Sequence, residues 1–327
     1  MPELVSILIP AYNAEKWIRE TIESALFQTW NNKEIIVVDD GSTDNTLQIA
    51  KKYESNLVKV ISQENSGANA ARNKAFAFAQ GDYLQWLDAD DLLAPDKIEK
   101  QMIEKDHVGN TRILLTSAWA KFYYRYQNAK FSPDNLWRDL DPIEWLMTRF
   151  IDDVWMNPAV WLVSRKLTEL AGPWDQRLVR DQDGEYLCRL VSQSKYIKFV
   201  PEARSYYRQC NPKSVSRNLS DKSRESIFLS RILCVGYLRS LEDSERTRAA
   251  CLTYLQWCLY CIDMDQTAIP EKAHALAQEL GGELQPPARS WRYSIIEQLI
   301  GSCGAKDAKR MIETFKTLFR SNWHKVF

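Results

Sequence analysis

Three aspartates, Asp88, Asp90 and Asp91, lie close together in this sequence after a short apolar run at residues 83–87. The run has the composition of a strand that is buried on both faces of a sheet. Carboxylates packed this closely repel one another unless a positive charge lies among them. Mg²⁺ and Mn²⁺ prefer oxygen ligands, and a Mg²⁺ site often uses one or two carboxylates because substrate phosphates supply the rest. The cluster therefore predicts a divalent-cation site, with an ordinary acidic turn before a helix at Pro95 as the alternative.

Two earlier apolar runs, at residues 4–9 and 34–38, are also followed by polar or aromatic side chains. Each run has the length of a buried parallel strand, and the residues between the runs have helical spacing, with Asn13 as the expected cap of the first helix. Strands that alternate with helices predict an α/β fold with a parallel sheet covered on both faces. Ligands of such sheets bind beyond the carboxyl ends of the strands. The candidate side chains all follow those ends.

The residues at the strand ends suit a nucleoside diphosphate. A carboxylate such as Asp40 can accept a hydrogen bond from a base N–H, an aromatic ring such as Tyr12 can stack on the base, and a cation at the acidic cluster can hold the pyrophosphate. The sequence contains neither G-x-G-x-x-G after the first strand nor G-x-x-x-x-G-K-[ST], so it predicts neither a dinucleotide loop nor a P-loop. A metal ion is therefore expected in their place.

Four ordered segments, at residues 5–13, 35–44, 65–73 and 87–91, resemble glycosyltransferase family 2. The resemblance covers residues 4–216. It implies a GT-A fold, a sugar-nucleotide donor, a divalent metal, Mn²⁺ or Mg²⁺, and transfer with inversion at the anomeric carbon.

The resemblance also implies roles for individual residues on the donor side. The second acid of the Asp-x-Asp motif, Asp90, would bind the metal. Pro10, Ala11 and Tyr12 would line the base pocket, and Asp40, with Asp39 beside it, would meet the base edge. Arg72 would lie near the nucleotide. Asp88, with Ala89, would lie near the ribose or the sugar.

On the acceptor side, residues 172–175 followed by Asp181, Gln182 and Asp183 resemble the acid-Asp motif of the family. Asp183 matches the catalytic base. The acid that usually precedes this base is Gln182 here, and Asp181 is a nearby competitor for the role. Trp155 and Asn157, which precede a predicted strand at residues 158–163, are candidates for acceptor contacts.

The sequence also lacks the His that relatives often place near residue 210, where it helps with the metal or the pyrophosphate. Arg208 or Lys213 could supply positive charge there, and solvated surface residues are the alternative for both.

Composition limits the function classes. Lys plus Arg equals Asp plus Glu at 43 each, so no global field favours nucleic acid as a partner. The seven cysteines are an odd number scattered along the chain, which suits free thiols in a reducing compartment. Neither a signal peptide nor an apolar run long enough for a membrane span is recognised. We therefore expect a cytoplasmic protein, either soluble or peripheral on the inner face of the membrane.

The pattern becomes helical beyond residue 216, with helices expected near 221–241, 245–262, 271–281 and 290–320. This predicts a catalytic domain at 1–216, with a nucleotide half at about 1–110 and an acceptor half at about 111–216, and a helical region at 217–327. The last predicted helix is apolar on one face and basic elsewhere, which suits either peripheral membrane contact or docking on the catalytic domain.

Together these features predict a metal-dependent inverting glycosyltransferase that uses a nucleotide-sugar, a UDP-sugar by preference. Its acceptor would be a saccharide or a lipid-linked saccharide, as in cell-surface polysaccharide biosynthesis. Two alternatives are a catalytically silent sugar-nucleotide-binding or scaffold protein and a nucleotidyltransferase on a similar sheet. The second alternative is expected to carry a glycine-rich loop with a basic residue after the first strand, where this chain has Pro10, Ala11, Tyr12 and Asn13.

Overall fold

The computed structural model describes residues 2–108, 112–209, 220–261 and 269–285. Within these residues, nine strands form one sheet. The strands are β1 Val5–Ala11, β2 Lys33–Asp39, β3 Val58–Ser62, β4 Tyr83–Trp86, β5 Leu92–Leu93, β6 Ile113–Phe122, β7 Lys130–Phe131, β8 Leu162–Ser164 and β9 Tyr196–Arg208.

Helices cover the sheet and continue beyond it. They are α1 Ile18–Leu26, α2 Thr46–Lys51, α3 Ala68–Phe78, α4 Lys97–Val108, α5 Pro142–Asp152, α6 Arg165–Ala171, α7 Gln182–Gln193, α8 Asp221–Leu241, α9 Glu245–Cys261 and α10 Ile269–Glu279. Asp141 caps α5, because its Oδ1 accepts from the backbone N–H groups of Ile143 at 2.9 Å and Glu144 at 3.1 Å.

The sheet has two parts that differ in strand direction. Strands β3, β2, β1 and β4 are parallel, which confirms the prediction for the first half of the chain. Strand β8 runs antiparallel to β4 and β6, β6 and β9 are parallel to each other, and β5 lies at the edge beside β9. The sheet as a whole is therefore mixed.

Strand β9 was not expected from the sequence. It contains Pro201, and its pairing with β6 is irregular there, because Ser117 faces Val200 and the next residue, Ala118, faces Arg204. A proline cannot donate to the ladder, so it is tolerated at such an irregularity. Buried and exposed residues also mix along the strand, which weakens the apolar pattern by which strands are recognised.

Two local expectations are wrong. Asn13 does not cap α1, which begins at Ile18; Asn13 has a positive φ of 48°, and its side-chain oxygen accepts from Thr43 N at 2.9 Å. The predicted strand at 158–163 is divided into a 3₁₀ turn at Pro158–Val160 and the short strand β8. Pro158 opens that turn, and Asn157 Oδ1 accepts from Ala159 N at 3.1 Å, which stabilises the turn rather than a strand.

The C-terminal helices share one hydrophobic core with the sheet. This core extends from Trp86 on β4 through Tyr186 on α7 to Tyr254 on α9. Trp174 stacks on Tyr186 at 3.9 Å between ring centroids, and Phe150 stacks on Tyr254 at 4.0 Å. The boundary near 217 adjoins residues outside the described ranges and stays a prediction, as does the helix expected at 290–320 with its proposed membrane contact.

The described helices include none that is both long and apolar enough to cross a membrane. Within the described ranges, Cys188, Cys234 and Cys251 carry free thiols, and these residues are buried, as is Cys258.

Candidate functional site

The carboxyl ends of three parallel strands meet at one edge of the sheet. In the register of the ladder, Ala11 at the end of β1 lies beside Asp39 at the end of β2, and Leu8 lies beside Trp86 at the end of β4. Pro10 is partly buried and Ala11 is buried, whereas Tyr12 is 51% exposed. Tyr12 is therefore the member of this segment whose ring is accessible to a flat ligand.

The two carboxylates after β2 are buried and have different surroundings. Asp40 accepts three hydrogen bonds from the loop at 63–67, from Gln63 Nε2 at 2.7 Å, Ser66 N at 2.9 Å and Gly67 N at 2.8 Å. Asp39 Oδ2 accepts from Ser42 N at 3.3 Å, while its Oδ1 is buried without a hydrogen-bond partner among the described residues. In this conformation Asp40, at the end of β2, fixes the loop beyond β3.

Gly41 allows the loop at 63–67 to approach this turn closely. Its φ is +71°, and a Cβ at this position would lie 2.7 Å from the backbone nitrogen of Asn65. Both the backbone angle and the contact therefore exclude a larger residue.

The acidic turn after β4 is held from two sides. On one side, Thr21 Oγ1 on α1 donates to the carbonyls of Ala89 at 3.0 Å and Asp91 at 2.9 Å. On the other side, Arg208 at the end of β9 donates from its backbone N to Asp91 Oδ1 at 2.9 Å and from Nε to the carbonyl of Asp90 at 2.7 Å. The turn is thus fixed in place by side chains remote in sequence.

The three acids of this turn have different environments. Asp91 is fully buried, and its pKa is raised well above the ordinary value by burial first and then by the charges of Asp90 and Asp88. Asp88 and Asp90 are partly exposed, while Ala89 between them is buried. Two carboxylates of the turn are therefore accessible to a ligand, and the third supports the turn from inside.

Arg72 on α3 connects the acidic turn to α7. Its Nη2 forms an ion pair with Asp88 Oδ1 at 2.8 Å, and its Nη1 donates to Gln182 Oε1 at 2.8 Å. The guanidinium carbon lies 4.4 Å from the ring centroid of Trp174. Because Arg72 is buried, this contact holds the donor-side and acceptor-side candidates at a fixed separation.

Two asparagines of α3 fix the loop that leads to α7. Asn73 exchanges two hydrogen bonds with the backbone of Trp174, at 2.8 and 2.9 Å. Asn69 Nδ2 donates to the carbonyl of Asp175 at 2.7 Å. The motif at residues 65–73 therefore positions the loop before the candidate base as well as Arg72.

Asp183 is the second residue of α7 and is partly buried. Its carboxylate makes no hydrogen bond with the part of the chain that the structure describes. Burial raises its pKa to about 6, the charge of Asp181 adds to this rise, and the charge of Arg72 opposes it. The residue directly before Asp183, Gln182, is neutral, so the acid that adds to the rise is Asp181, two residues away.

Asp181 itself is bound to the helical region. It has a positive φ of 55°, and its Oδ2 accepts from Ser230 Oγ on α8 at 2.7 Å. Of the two candidates for the base, Asp183 thus has the free carboxylate and Asp181 has a structural partner.

An aromatic wall lies beside these acids. We give this name to Trp119 on β6, Trp155 after α5 and Tyr207 on β9, whose ring centroids are 4.9 to 6.2 Å apart. The pKa of Tyr207 is raised by burial and by the charges of Asp91 and Asp183, which places its hydroxyl near both acids. Sequence reasoning missed Tyr207, although its position beside Arg208 at the missing His could have suggested it.

Asn157 is fully buried, and its side-chain oxygen is used within its own turn. Of the two acceptor candidates, Trp155 is therefore the one that can contact a saccharide in this conformation.

Comparison with known proteins identifies a family whose sequence model matches part of this chain. The sequence model described as glycosyl transferase family 2 matches residues 6–140, which include β1 to β4 and the acidic turn. The match covers less than half of the chain and supports a glycosyltransferase of family 2. The C-terminal part of the chain, including Asp183, lies outside the matched residues.

Curated relatives match the chain over short stretches. The teichuronic acid biosynthesis glycosyltransferase TuaG of Bacillus subtilis is 47% identical over 102 residues, which are 30% of this chain and 40% of TuaG. Chondroitin synthase of Escherichia coli is 48% identical over 98 residues, which are 29% of this chain and 14% of that protein. The chain thus aligns with less than half the length of these relatives.

Solved structures of TarS from S. aureus resemble the fold over a longer range. One, in complex with UDP-GlcNAc, has a TM-score of 0.61 at 17% identity and covers 84% of this chain and 88% of the TarS chain. The likeness establishes the GT-A fold, with a mixed sheet flanked by helices and a helical C-terminal region.

Two positions depart from the motifs on which the resemblance to family 2 was based. Gln182 replaces an acid and accepts from Arg72, so the neutral side chain keeps a contact that an acid could also make. Near the missing His, Arg208 is buried and binds the acidic turn; Lys213 lies outside the described residues.

Proposed function

We propose that this chain is a metal-dependent inverting glycosyltransferase that transfers a sugar from a UDP-sugar to a saccharide or a lipid-linked saccharide. The observation that carries the proposal is the single link through Arg72 between Asp88 and the N-terminus of α7, where Asp183 lies one residue after Gln182. A base held at a fixed separation from a donor site is what an inverting transfer requires, because the acceptor attacks from the side opposite the leaving group.

The donor nucleotide, in this proposal, lies across the carboxyl ends of β1, β2 and β4. Tyr12 stacks on the base, and Pro10, Ala11, Asp39 and Asp40 form the base pocket. Since Asp40 already accepts three hydrogen bonds from the loop at 63–67, a base N–H would share or replace one of them. Asp88, with Ala89, faces the ribose or the sugar.

The residues of the acidic turn fit a divalent cation held jointly by protein and substrate. The described residues bring no three His, Cys, Asp or Glu side chains together around a cation, so a cage made of protein alone is not available within them. Mg²⁺ sites that use one or two carboxylates and take other ligands from phosphates have this character. Asp90 would hold the ion, and a bound Mn²⁺ or Mg²⁺ supplies charge neutralisation for the diphosphate.

Asp183 acts as the general base in the proposed transfer. Its carboxylate takes the proton of the acceptor hydroxyl while the acceptor oxygen forms a bond to the anomeric carbon. The bond from that carbon to the diphosphate oxygen breaks, and the electron pair leaves with the UDP. A pKa near 6 suits this role, because the group is ionised at neutral pH and remains basic enough to accept a proton.

The relatives support an acceptor in cell-surface polysaccharide synthesis. TuaG is named for teichuronic acid biosynthesis, and a second relative is named chondroitin synthase. TarS was crystallised with UDP-GlcNAc, which supports a UDP-sugar as donor. We propose that the chain works in the cytoplasm, free or at the inner face of the membrane.

Calorimetry of UDP binding tests the donor site, with Mn²⁺ and then with EDTA. We expect tight binding with Mn²⁺, binding weakened at least about tenfold by EDTA, and an Asp90→Ala variant that has lost the metal effect. Asp134→Ala is a matched control, because Asp134 lies before α5 and its Oδ1 accepts from Leu136 N at 2.9 Å, away from the turn. Binding to the native chain that EDTA leaves unchanged would refute the metal assignment.

A further inference from the structure

Two lysines face each other on the sheet beside the aromatic wall. Lys121 on β6 is the ladder partner of Lys130 on β7 on one side and of Tyr207 on β9 on the other. Ladder partners point to the same face of a sheet, as do residues two apart on one strand, so Lys121 shares a face with Trp119. Both lysines are exposed.

The position of Lys121 is defined by the aromatic wall. Its Nζ lies 5.7 Å from the ring centroid of Trp119 and 5.5 Å from that of Trp155. Contacts of this length stabilise an ammonium group over the rings. The charge is therefore held beside the side chains that we assign to the acceptor.

The lysine pair has no counter-ion within the described residues. Neither Lys121 nor Lys130 forms a salt bridge there, whereas the partly exposed Lys100 and Lys198 pair with carboxylates. Like charges directly opposite each other on neighbouring strands destabilise the sheet. A ligand of opposite charge that binds between the two lysines would offset this cost.

We propose that the aromatic wall together with Lys121 and Lys130 is a subsite for an acceptor sugar that carries an anionic group. The wall packs against the sugar ring, and the two ammonium groups bind the anion. The inference rests on the proposed function and adds a substrate class to it. Two sources supply the anion, the carboxylate of a uronic acid and a phosphate ester on the saccharide.

Matched acceptors test the proposal, with the same UDP-sugar as donor and kcat/KM as the readout. One pair is a glucuronate-terminated oligosaccharide and its carboxyl-reduced counterpart; the other is a saccharide with and without a phosphate ester. We expect the native enzyme to prefer the anionic member of at least one pair, and that pair identifies the source. Lys121→Gln should lower kcat/KM for this anionic member at least about tenfold while changing the neutral member less than about twofold.

Lys59→Gln is the matched control. Lys59 is also exposed, lies on a strand and has its Nζ 4.4 Å from the centroid of the Phe78 ring, but it is on β3 in the other part of the sheet. The variant removes the same charge and should not change the ratio of the two kcat/KM values. The preference of the native enzyme should also fall as salt is raised, and that salt dependence should be reduced in Lys121→Gln.

Three results would overturn the subsite. The first is a native enzyme that prefers neither member in either pair. The second is a Lys121→Gln variant whose kcat/KM falls equally for both members of the preferred pair, and the third is a Lys59→Gln variant that lowers the ratio of the two kcat/KM values as much as Lys121→Gln does. Donor hydrolysis is followed in the same samples, so failure of the proposed function is recognised separately. Failure of the proposed function would give a native enzyme that binds UDP but neither hydrolyses the donor nor transfers to any acceptor. This result would overturn the subsite too.

Discussion

The proposed donor part and the proposed acceptor part of this molecule are built differently. Donor residues follow the ends of β1, β2 and β4, where parallel strands bring short segments to one edge. Acceptor residues come from the start of α7, the loop after α5 and two neighbouring strands, and aromatic packing brings them together. A site assembled from strand ends can be recognised in short motifs, whereas a site assembled by packing depends on contacts between segments far apart in sequence.

Two arginines connect these parts. Arg72 joins Asp88 to Gln182, and Arg208 joins β9 to the acidic turn. Both are buried, so the loss of either leaves polar partners without their hydrogen bonds inside the protein. The relative position of donor and base therefore depends on two side chains more than on a continuous backbone element.

The largest effect is expected from breaking the connection at Arg72. Arg72→Gln should lower kcat/KM at least about 10²-fold, because truncating one partner of a buried hydrogen-bonded charge pair costs about 2–5 kcal/mol. The measurement is steady-state kinetics beside thermal unfolding. The effect on turnover should exceed the effect on UDP affinity, since the variant mainly loosens the base relative to the donor.

Arg165→Gln is the control for Arg72. Arg165 donates to the carbonyls of Gly81 and Ala79 and lies over the ring of Phe76, so it also binds buried groups but does not connect the two parts. It should lower the melting temperature and leave kcat nearly unchanged. Equal losses of kcat and melting temperature in both variants would mean that Arg72 supports only the fold.

A smaller effect on kcat/KM is expected from a change of pH. It distinguishes the proposed base from the proposed donor site without a mutation. Because the pKa of Asp183 is raised to about 6, the base becomes protonated as the pH falls through 6. We expect kcat/KM to fall about tenfold per pH unit below 6 and to level off above about 7. The affinity for UDP, measured over the same pH range, should not fall below pH 6 as kcat/KM does. The same pH dependence for both quantities would contradict the assignment of donor binding and proton transfer to different parts of the site.

The smallest effect concerns stability. A carboxyl group whose folded pKa is raised stabilises the fold below its unfolded pKa, and this contribution is lost as the pH rises through the folded pKa near 6. Asp183→Asn should therefore melt higher than the native protein at pH 7.5, by about 2 °C or more, with the difference shrinking towards pH 4. If the difference in melting temperature between the variant and the native protein were the same at every pH, burial of the Asp183 charge would not be the cause of that difference.

The same contrast explains what could be predicted from the sequence. Strands β1, β2 and β4 and helices α8 and α9 follow from local patterns and are confirmed, and the resemblance to family 2 is confirmed over residues 6–140. The mixed order of the second part could not be predicted, since the Pro201 irregularity and the exposed residues conceal β9. Asn13 has the residue type of a helix cap, but its contact with Thr43 comes from a separate loop.

The individual site assignments stay predictions. The structure adds to them contacts that no local pattern contains, such as the bond from Arg72 to Gln182 and the rise in the Asp183 pKa caused by Asp181. Lys121 could not be singled out because its importance depends on which strands become neighbours.

The most direct test of the central claim is single-turnover transfer by Asp183→Asn beside calorimetry of UDP binding. Asn keeps the shape of the side chain and removes its basicity, so the rate should fall at least about 10²-fold while UDP and Mn²⁺ affinities stay nearly native. Asp181→Asn, whose parent carboxylate is bound to Ser230, should lose much less. Transfer that survives in Asp183→Asn and collapses in Asp181→Asn would move the base by two residues, and survival in both variants would contradict the mechanism.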